Sequence, residues 1–314
     1  MSNSAEMRTN ALSSASAGLV SRLLTHPLDT AKARIQASMA TQYKNTLDVL
    51  VRTTRNEGLL ALYRGFGIIV FGGTPGTIVY LTGYEYFKMK FTSTPHVHDV
   101  SGRSTIIPDS AIHFVSGMLA ETSACVIYVP VDVIKERLQV QHSIKGESFQ
   151  PKNYSGSMDA LKRILNTEGV RGIYKGYFAT LASFGPFSAL YFVFYEKMKS
   201  LTDTSTDNMS LRQTLVCSSV AGAGAAWITS PLDMAKLRLQ VQSGNNTISS
   251  LSSQSHPIQY KGMVDCLRHI YNEKGIQGLF RGAGARVAHF VPATTITMTC
   301  YEEFRLFYSN MFHR

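Results

Sequence analysis

One phrase occurs three times in this chain. Pro27-Leu28-Asp29-Thr30-Ala31-Lys32-Ala33-Arg34 returns as Pro130-Val131-Asp132-Val133-Ile134-Lys135-Glu136-Arg137, and again as Pro231-Leu232-Asp233-Met234-Ala235-Lys236-Leu237-Arg238. The prolines stand 103 and 101 residues apart, and a glutamine follows each lysine by four, at Gln36, Gln139 and Gln240. Such a period across 314 residues makes the chain three copies of one structural unit, placed at 11–90, 108–200 and 210–308. The later part of each unit repeats as well. Glu57-Gly58 leads to Tyr63-Arg64-Gly65, Glu168-Gly169 to Tyr174-Lys175-Gly176, and Gly275 to Phe280-Arg281-Gly282. Some way beyond the last glycine of each set comes an acid with a base three residues on. These pairs are Glu85 and Lys88, Glu196 and Lys199, and Glu302 and Arg305, preceded by Tyr84, Tyr195 and Tyr301.

With 44% apolar residues and a near-zero mean hydropathy, the chain averages like a soluble protein, but its charges are segregated. Segments 65–84, 176–195 and 213–232 contain no Asp, Glu, Lys or Arg. A helix of about 20 residues spans ~30 Å, the thickness of a bilayer hydrocarbon core. Segment 112–131 carries only Glu121, 11–28 only Arg22, and 287–301 is a shorter uncharged run with His289. Six membrane helices follow, two per unit. The competing reading, a soluble helical repeat, fits poorly with runs such as Ala221-Gly222-Ala223-Gly224-Ala225-Ala226. Small residues let helices approach closely in lipid, whereas a soluble core would use more Leu, Ile and Phe there.

The net charge is +10, with Lys and Arg at helix ends and in short loops rather than in a stripe with aromatics. That distribution suits anionic lipid headgroups and argues against a nucleic-acid partner. Cys125, Cys217, Cys266 and Cys300 show neither CxxC spacing nor metal-ligand partners in register and read as buried thiols. No secretory leader is apparent in the first 25 residues, and no GxSxG, HExxH or P-loop points to an enzyme.

Within each unit the order reads as membrane helix, polar loop, short amphipathic helix, membrane helix. The amphipathic pieces fall at 47–56, 158–167 and 263–272, with polar loops at 140–153 and 241–259 and connections between units at 90–108 and 200–209. Proline inside an apolar helix removes a backbone hydrogen bond and kinks it, so Pro27, Pro130 and Pro231 would bend three helices toward a common axis. Asp29, Asp132 and Asp233 share a helix face with Lys32, Lys135 and Lys236, three residues on. In threefold register the acid of one unit can pair with the base of the next and close a ring. Glu85, Glu196 and Glu302 with Lys199, Arg305 and Lys88 would close a second ring at the opposite end. Charges near a membrane are costly unless paired or hydrated, so two such rings closing in turn make alternating gates on one cavity.

On these motifs the chain resembles the mitochondrial carrier family, from about residue 11 to residue 308. The resemblance implies an all-α membrane protein of the mitochondrial inner membrane. It would have six tilted helices, three short matrix helices and threefold pseudosymmetry around a central cavity. It implies a matrix network of Asp29–Lys135, Asp132–Lys236 and Asp233–Lys32 and a cytoplasmic network of Glu85–Lys199, Glu196–Arg305 and Glu302–Lys88. Gln36, Gln139 and Gln240, with Tyr84, Tyr195 and Tyr301, match the family's bracing positions beneath the pairs. A monomer is expected, with no cofactor beyond cardiolipin as a structural lipid, at Tyr154-Ser155-Gly156 and Tyr260-Lys261-Gly262. The first unit departs, with Tyr43-Lys44-Asn45 lacking the glycine, and the third has Lys274 where the family carries an acid.

By the family's alignment the substrate positions are Gly72, Ser183 with Phe184, and His289 on the even-numbered helices, and Arg22, Cys125 and Ala226 on the odd ones. An uncompensated charge within a span is a functional-site candidate in its own right, which adds Glu121, one turn above Cys125, and Arg286, three before His289. The competing possibility is that Glu121 pairs with Arg22 or Arg286 as a structural ion pair. If these charges serve a substrate, a small zwitterion or weak anion fits. A strongly anionic nucleotide would want more arginines. Other readings are a carrier of S-adenosylmethionine type, suggested by Ala120-Glu121-Thr122-Ser123-Ala124-Cys125, a divalent-metal carrier, or a non-transporting adaptor. An adaptor would be expected to lose gate charges, and all twelve are present.

Overall fold

The computed structural model describes residues 3–38, 43–92, 109–141, 154–201, 210–242 and 259–312. The connections read at 90–108, 140–153, 200–209 and 241–259 lie outside the described residues except at their ends. Among the described residues the chain is helical: α1 (Asn3–Ala37), α2 (Thr46–Glu57), α3 (Phe66–Thr92), α4 (Asp109–Val140), α5 (Ser157–Ile173), α6 (Tyr177–Leu201), α7 (Leu211–Ile228), α8 (Ser230–Val241), α9 (Met263–Leu279) and α10 (Ala283–Phe312). A 3-10 helix over Leu59–Tyr63 joins α2 to the turn before α3.

The long helices α1, α3, α4, α6, α7–α8 and α10 stand in a ring around a central cavity, with α10 closing back on α1. By length and apolarity alone, the helical stretch Leu59–Thr92, Ala111–Val140 and α6 suffice to cross a bilayer, as does α7–α8 if the bent pair counts as one span. The remaining two, α1 of 35 residues and α10 of 30, are long enough but more polar, because they carry charged residues along their length, among them Arg22 and Asp29, and Arg286.

Burial is arranged as a bilayer demands. The core between helices is built of Ala17, Ala31, Ala120, Ala124, Ala221 and Ala225, while Phe71 and Phe178 point outward, each 82% exposed. Lipid rather than water must cover such side chains. Small residues set the seams: a Cβ on Gly222 of α7 would lie 1.9 Å from the Phe290 ring of α10, so only hydrogen fits there.

The repeated glycines have a backbone reason. Gly65, Gly176 and Gly282 sit at φ 82°, 81° and 85°, turning each short helix into the long one that follows. Gly58, Gly169 and Gly275 likewise take positive φ, and the latter two break the regular geometry inside α5 and α9. A Cβ in that left-handed region costs about 1–2 kcal/mol.

The three repeated prolines behave differently. Past Pro27 and Pro130, α1 and α4 continue as single helices. In the third unit the helix divides at Thr229 (φ −86°, ψ 5°), and α8 leaves α7 at 64°. Pro231 then occupies the first turn of α8, where its missing N–H costs nothing.

Candidate functional site

At the end that carries α2, α5 and α9, the repeated acids and bases meet across the unit boundaries. Lys135 Nζ lies 2.7 Å from Asp29, Lys236 Nζ 2.8 Å from Asp132, and Lys32 Nζ 2.7 Å from Asp233. The three pairs close a ring linking α1, α4 and α8. Gln139 donates from Nε2 to Asp29 at 3.1 Å, and Gln36 from Nε2 to Asp233 at 3.2 Å. The third brace is not formed, since Gln240 Nε2 is buried without a hydrogen-bond partner. Asp132–Lys236 is also the most solvent-accessible pair of the three.

Beneath this ring lies a second one that the sequence reading left without a role. Arg34 donates Nε to the Gln139 carbonyl, Arg137 to the Gln240 carbonyl and Arg238 to the Gln36 carbonyl, at 3.0, 3.1 and 3.0 Å. Each unit is thereby tied to the next through a buried guanidinium. Arg34 forks onto Glu57 and Arg137 onto Glu168. Glu57 also meets Arg64, and Glu168 takes Lys175 at 2.8 Å. Burial pushes the Glu168 carboxyl up, but the hydrogen bonds and charge of Arg137, together with Lys175, outweigh it and hold the group at about 2. The repeated Lys-x-Arg of the phrase, combined with the acid before the glycine in the first two units, is the trace of this ring in the sequence. Where the first two units have that acid, the third has Lys274.

The opposite end differs. Glu85, Glu196 and Glu302 form no ion pair with any described residue, so the second ring is not assembled. Its tyrosines look elsewhere: the Tyr84 hydroxyl sits 2.7 Å from His113 Nδ1, Tyr195 stacks on Tyr191, and the Tyr301 hydroxyl donates to Asn10 Oδ1. The charge pairs are closed at one end of the bundle and, among the described residues, not formed at the other.

Along the cavity wall the structure sorts the predicted contacts. Glu121 is 8% exposed, and its polar partner is the Cys125 thiol, 3.6 Å from Oε1. Neither Arg22 nor Arg286 reaches it within ion-pair distance. Arg22 lies over Gly73 and donates Nη1 to the Ile69 carbonyl at 3.2 Å. Tyr128, which donates to Thr77, stands within electrostatic reach of both Glu121 and Arg22. Tyr80 is within reach of Glu121 and meets the Phe184 ring edge-on at 6.4 Å. His289 lies within electrostatic reach of Asp29, Lys32, Lys135 and Asp233.

Three predicted contacts have structural employment instead. A Cβ on Gly72 would lie 2.4 Å from Val131 Cγ2, so this glycine seats α3 against α4. The Ser183 hydroxyl donates to the Ala179 carbonyl at 2.7 Å and approaches the Leu232 carbonyl at 3.3 Å. Arg286 braces the broken helix, donating Nη1 to the Ala226 carbonyl and the Thr229 hydroxyl, with Nε 3.5 Å from Asp233 and Phe187 under its guanidinium. No group of three or more His, Cys, Asp and Glu side chains among the described residues is placed to hold a metal ion.

The family model described as mitochondrial carrier protein matches this chain at residues 3–95, 108–205 and 207–312, one match per unit. The chain belongs to the mitochondrial carrier family. Members of this family are transporters rather than enzymes, and this carrier is a multi-pass protein of the mitochondrial inner membrane. Among its relatives, mitochondrial substrate carrier family protein E of Dictyostelium discoideum is 36% identical over 96% of each chain. Mitoferrin of the same organism is 30% identical over 94% of this chain and 92% of its own. The mitochondrial aspartate-glutamate transporter AGC1 of Saccharomyces cerevisiae is also 30% identical, over 93% of this carrier, which spans only 30% of that longer protein.

Proposed function

We propose that this carrier moves a small zwitterionic or weakly anionic metabolite by alternating access between its two charge rings. The observation that carries the reading is the asymmetry of the ends. Three ion pairs close the matrix end, while the acids of the cytoplasmic ring pair with no described residue, as an outward-open carrier requires. Closing the second ring while the first opens would turn the cavity toward the matrix. A substrate need only favour the intermediate in which neither ring is complete.

For the substrate, Glu121 and Arg22 supply one charge of each sign beside Tyr128. Glu121 would take the cationic end with the Tyr80 and Phe184 rings nearby, and Arg22 the anionic end. His289, over the closed pairs, is placed to sense occupancy of the cavity floor. The relative named as an aspartate-glutamate transporter is in keeping with such a cargo. A second reading, a divalent metal ion as cargo, is favoured by the mitoferrin relative and by the Cys125–Glu121 contact in the cavity wall.

Cardiolipin is proposed at the starts of α5 and α9. Their N-caps, Gly156 and Gly262, make no side-chain hydrogen bond, so the first-turn N–H groups remain for a phosphate. In α2 the Asn45 side chain takes the Asp48 N–H itself, which argues for two lipid sites of this kind rather than three. Each unit supplies one acid and one base to each ring, so a monomer is sufficient.

The test is uptake by purified protein in cardiolipin-containing liposomes, preloaded with amino acids, S-adenosylmethionine, nucleotides, carboxylates or divalent iron and manganese. Saturable exchange of a zwitterion, lost on Glu121→Gln and on Arg22→Ala, supports the assignment. Exchange of a metal ion that survives Arg22→Ala replaces it with the second reading, and a folded protein that moves nothing contradicts both.

A further inference from the structure

Glu136 is an acid that threefold symmetry does not call for. Its counterparts in the other units are Ala33 and Leu237, both buried and apolar. Glu136 is buried too, and its Oε1 accepts from Lys135 Nζ at 3.1 Å, while that same lysine serves Asp29 at 2.7 Å. The charged groups facing it are Lys135 and Asp132 on its own helix, Asp29 and Lys32 from α1, and Lys236 from α8. Lys32, Lys135 and Lys236 are matched one for one by the three aspartates, which leaves Glu136 as a fourth acid. Arg286, the further cation at the ring, is directed to Asp233.

Hydrogen bonding points the same way. Glu136 Oε2 is buried with no hydrogen-bond partner, and so is Gln139 Oε1, three residues along the same face of α4. Both side chains belong to one cluster around Asp29, since Gln139 Nε2 and Lys135 Nζ both donate to Asp29 Oδ2. Two buried acceptors without a donor are costly, and a second negative charge beside Asp29 compounds the cost. One proton on Oε2 supplies the missing donor and removes the excess charge.

We propose that Glu136 is a proton-binding site of the matrix network, protonated while the network is closed and ionised when it opens to the matrix. The exchange is with matrix water: the carboxylate takes a proton from hydronium on closing and returns it on opening. On opening, Lys135 parts from Asp29 on α1 but keeps Glu136, its neighbour on α4, as counter-charge. Acid therefore favours the sealed end, and alkali favours its release. The inference rests on the matrix ring being a gate, but the site can be tested without any substrate, so its failure is separate from a failure of the transport reading.

The measurement is thermal unfolding of the purified full chain with cardiolipin, from pH 4.5 to 8.5, for the wild type and Glu136→Gln. Stability that depends on a bound proton is complete below the free carboxyl value of about 4.5 and is lost as pH rises above it. Glu136→Gln is expected to melt near the wild type at pH ~4.5, where the unfolded carboxyl is also protonated, and to stand about 5 °C above it by pH 8.5. Glu136→Met, neutral at every pH, should follow the glutamine variant. A constant offset across the pH range overturns the proposal. So does failure of both variants to fold, because a neutral side chain is what the sealed network is held to contain.

Discussion

Replacing Arg137 with methionine removes four hydrogen bonds at once: Nε to the Gln240 carbonyl, Nη1 and Nη2 to Glu168, and Nη2 to the Gln242 carbonyl. Glu168, whose side chain is 4% exposed, loses its guanidinium and keeps Lys175 at 2.8 Å. Breaking a buried charge pair costs about 3–5 kcal/mol, and the remaining lysine places this case near the lower figure. At ~2–4 °C per kcal/mol for a chain of this order, Tm falls by about 6–12 °C. Glu168→Gln keeps the shape and leaves Arg137 its two carbonyls, so it loses about 1.5–3 kcal/mol of charge-assisted bonding. The two variants also separate by pH. The Glu168 carboxyl is held down from 4.5 to about 2, so its contribution is complete above the ordinary value and disappears as pH falls toward the lower one. The advantage of wild type over Glu168→Gln should be constant above pH ~5 and shrink below it. Label-free scanning fluorimetry reads this at acid pH from Trp227, the single tryptophan, and the tyrosines. An equal gap at pH 4 and pH 7, or an Arg137→Met protein that melts with the wild type, refutes the reasoning.

Two further perturbations probe the seams and the braces. Gly222→Leu drives a side chain into the Phe290 ring and should cost about 3 kcal/mol or prevent folding. Gly284→Ala, with nothing near its Cβ, should leave Tm unchanged or slightly raised in the same scan. Gln36→Leu removes a bond to Asp233 and should destabilise the sealed end by about 1 kcal/mol. Gln240→Leu should cost less, because its Nε2 has no partner to lose. Equal losses from the two glutamines would show that the brace geometry is wrong.

How far the sequence could be read depended on where its information was stored. The ring at the matrix end was legible because acid, base and glutamine recur in one phrase, at spacings that put them on one helix face. The short helices were legible from their apolar periodicity, and α2 at Thr46–Glu57 lies within a residue of its expected limits. The break at Thr229 was not legible, since all three units carry the proline and only the surroundings of Pro231 divide the helix. Nor was the work of Arg286 and Gly72. An arginine in a span reads as a substrate contact until the freed Ala226 carbonyl is seen beneath it, and a glycine reads as an open position until Val131 is seen filling the space. The arginine ring was on the page three times, but its acceptors are backbone carbonyls, which leave no mark in a sequence.

The central claim is that the charge pairs act as a gate, and Asp132–Lys236 tests it most directly. The other two pairs share their charges with Gln139 and Glu136, or with Gln36 and Arg286, whereas among the described residues this one has its partner alone. Exchange in cardiolipin liposomes should be measured for Asp132→Lys, Lys236→Asp and the double variant, using the substrate that the liposome panel identifies. The account predicts that each single variant loses about tenfold or more and that the double variant recovers most of it, a coupling of about 1.4 kcal/mol or greater. Single variants that exchange normally, or a well-folded double variant no more active than either single, would contradict it.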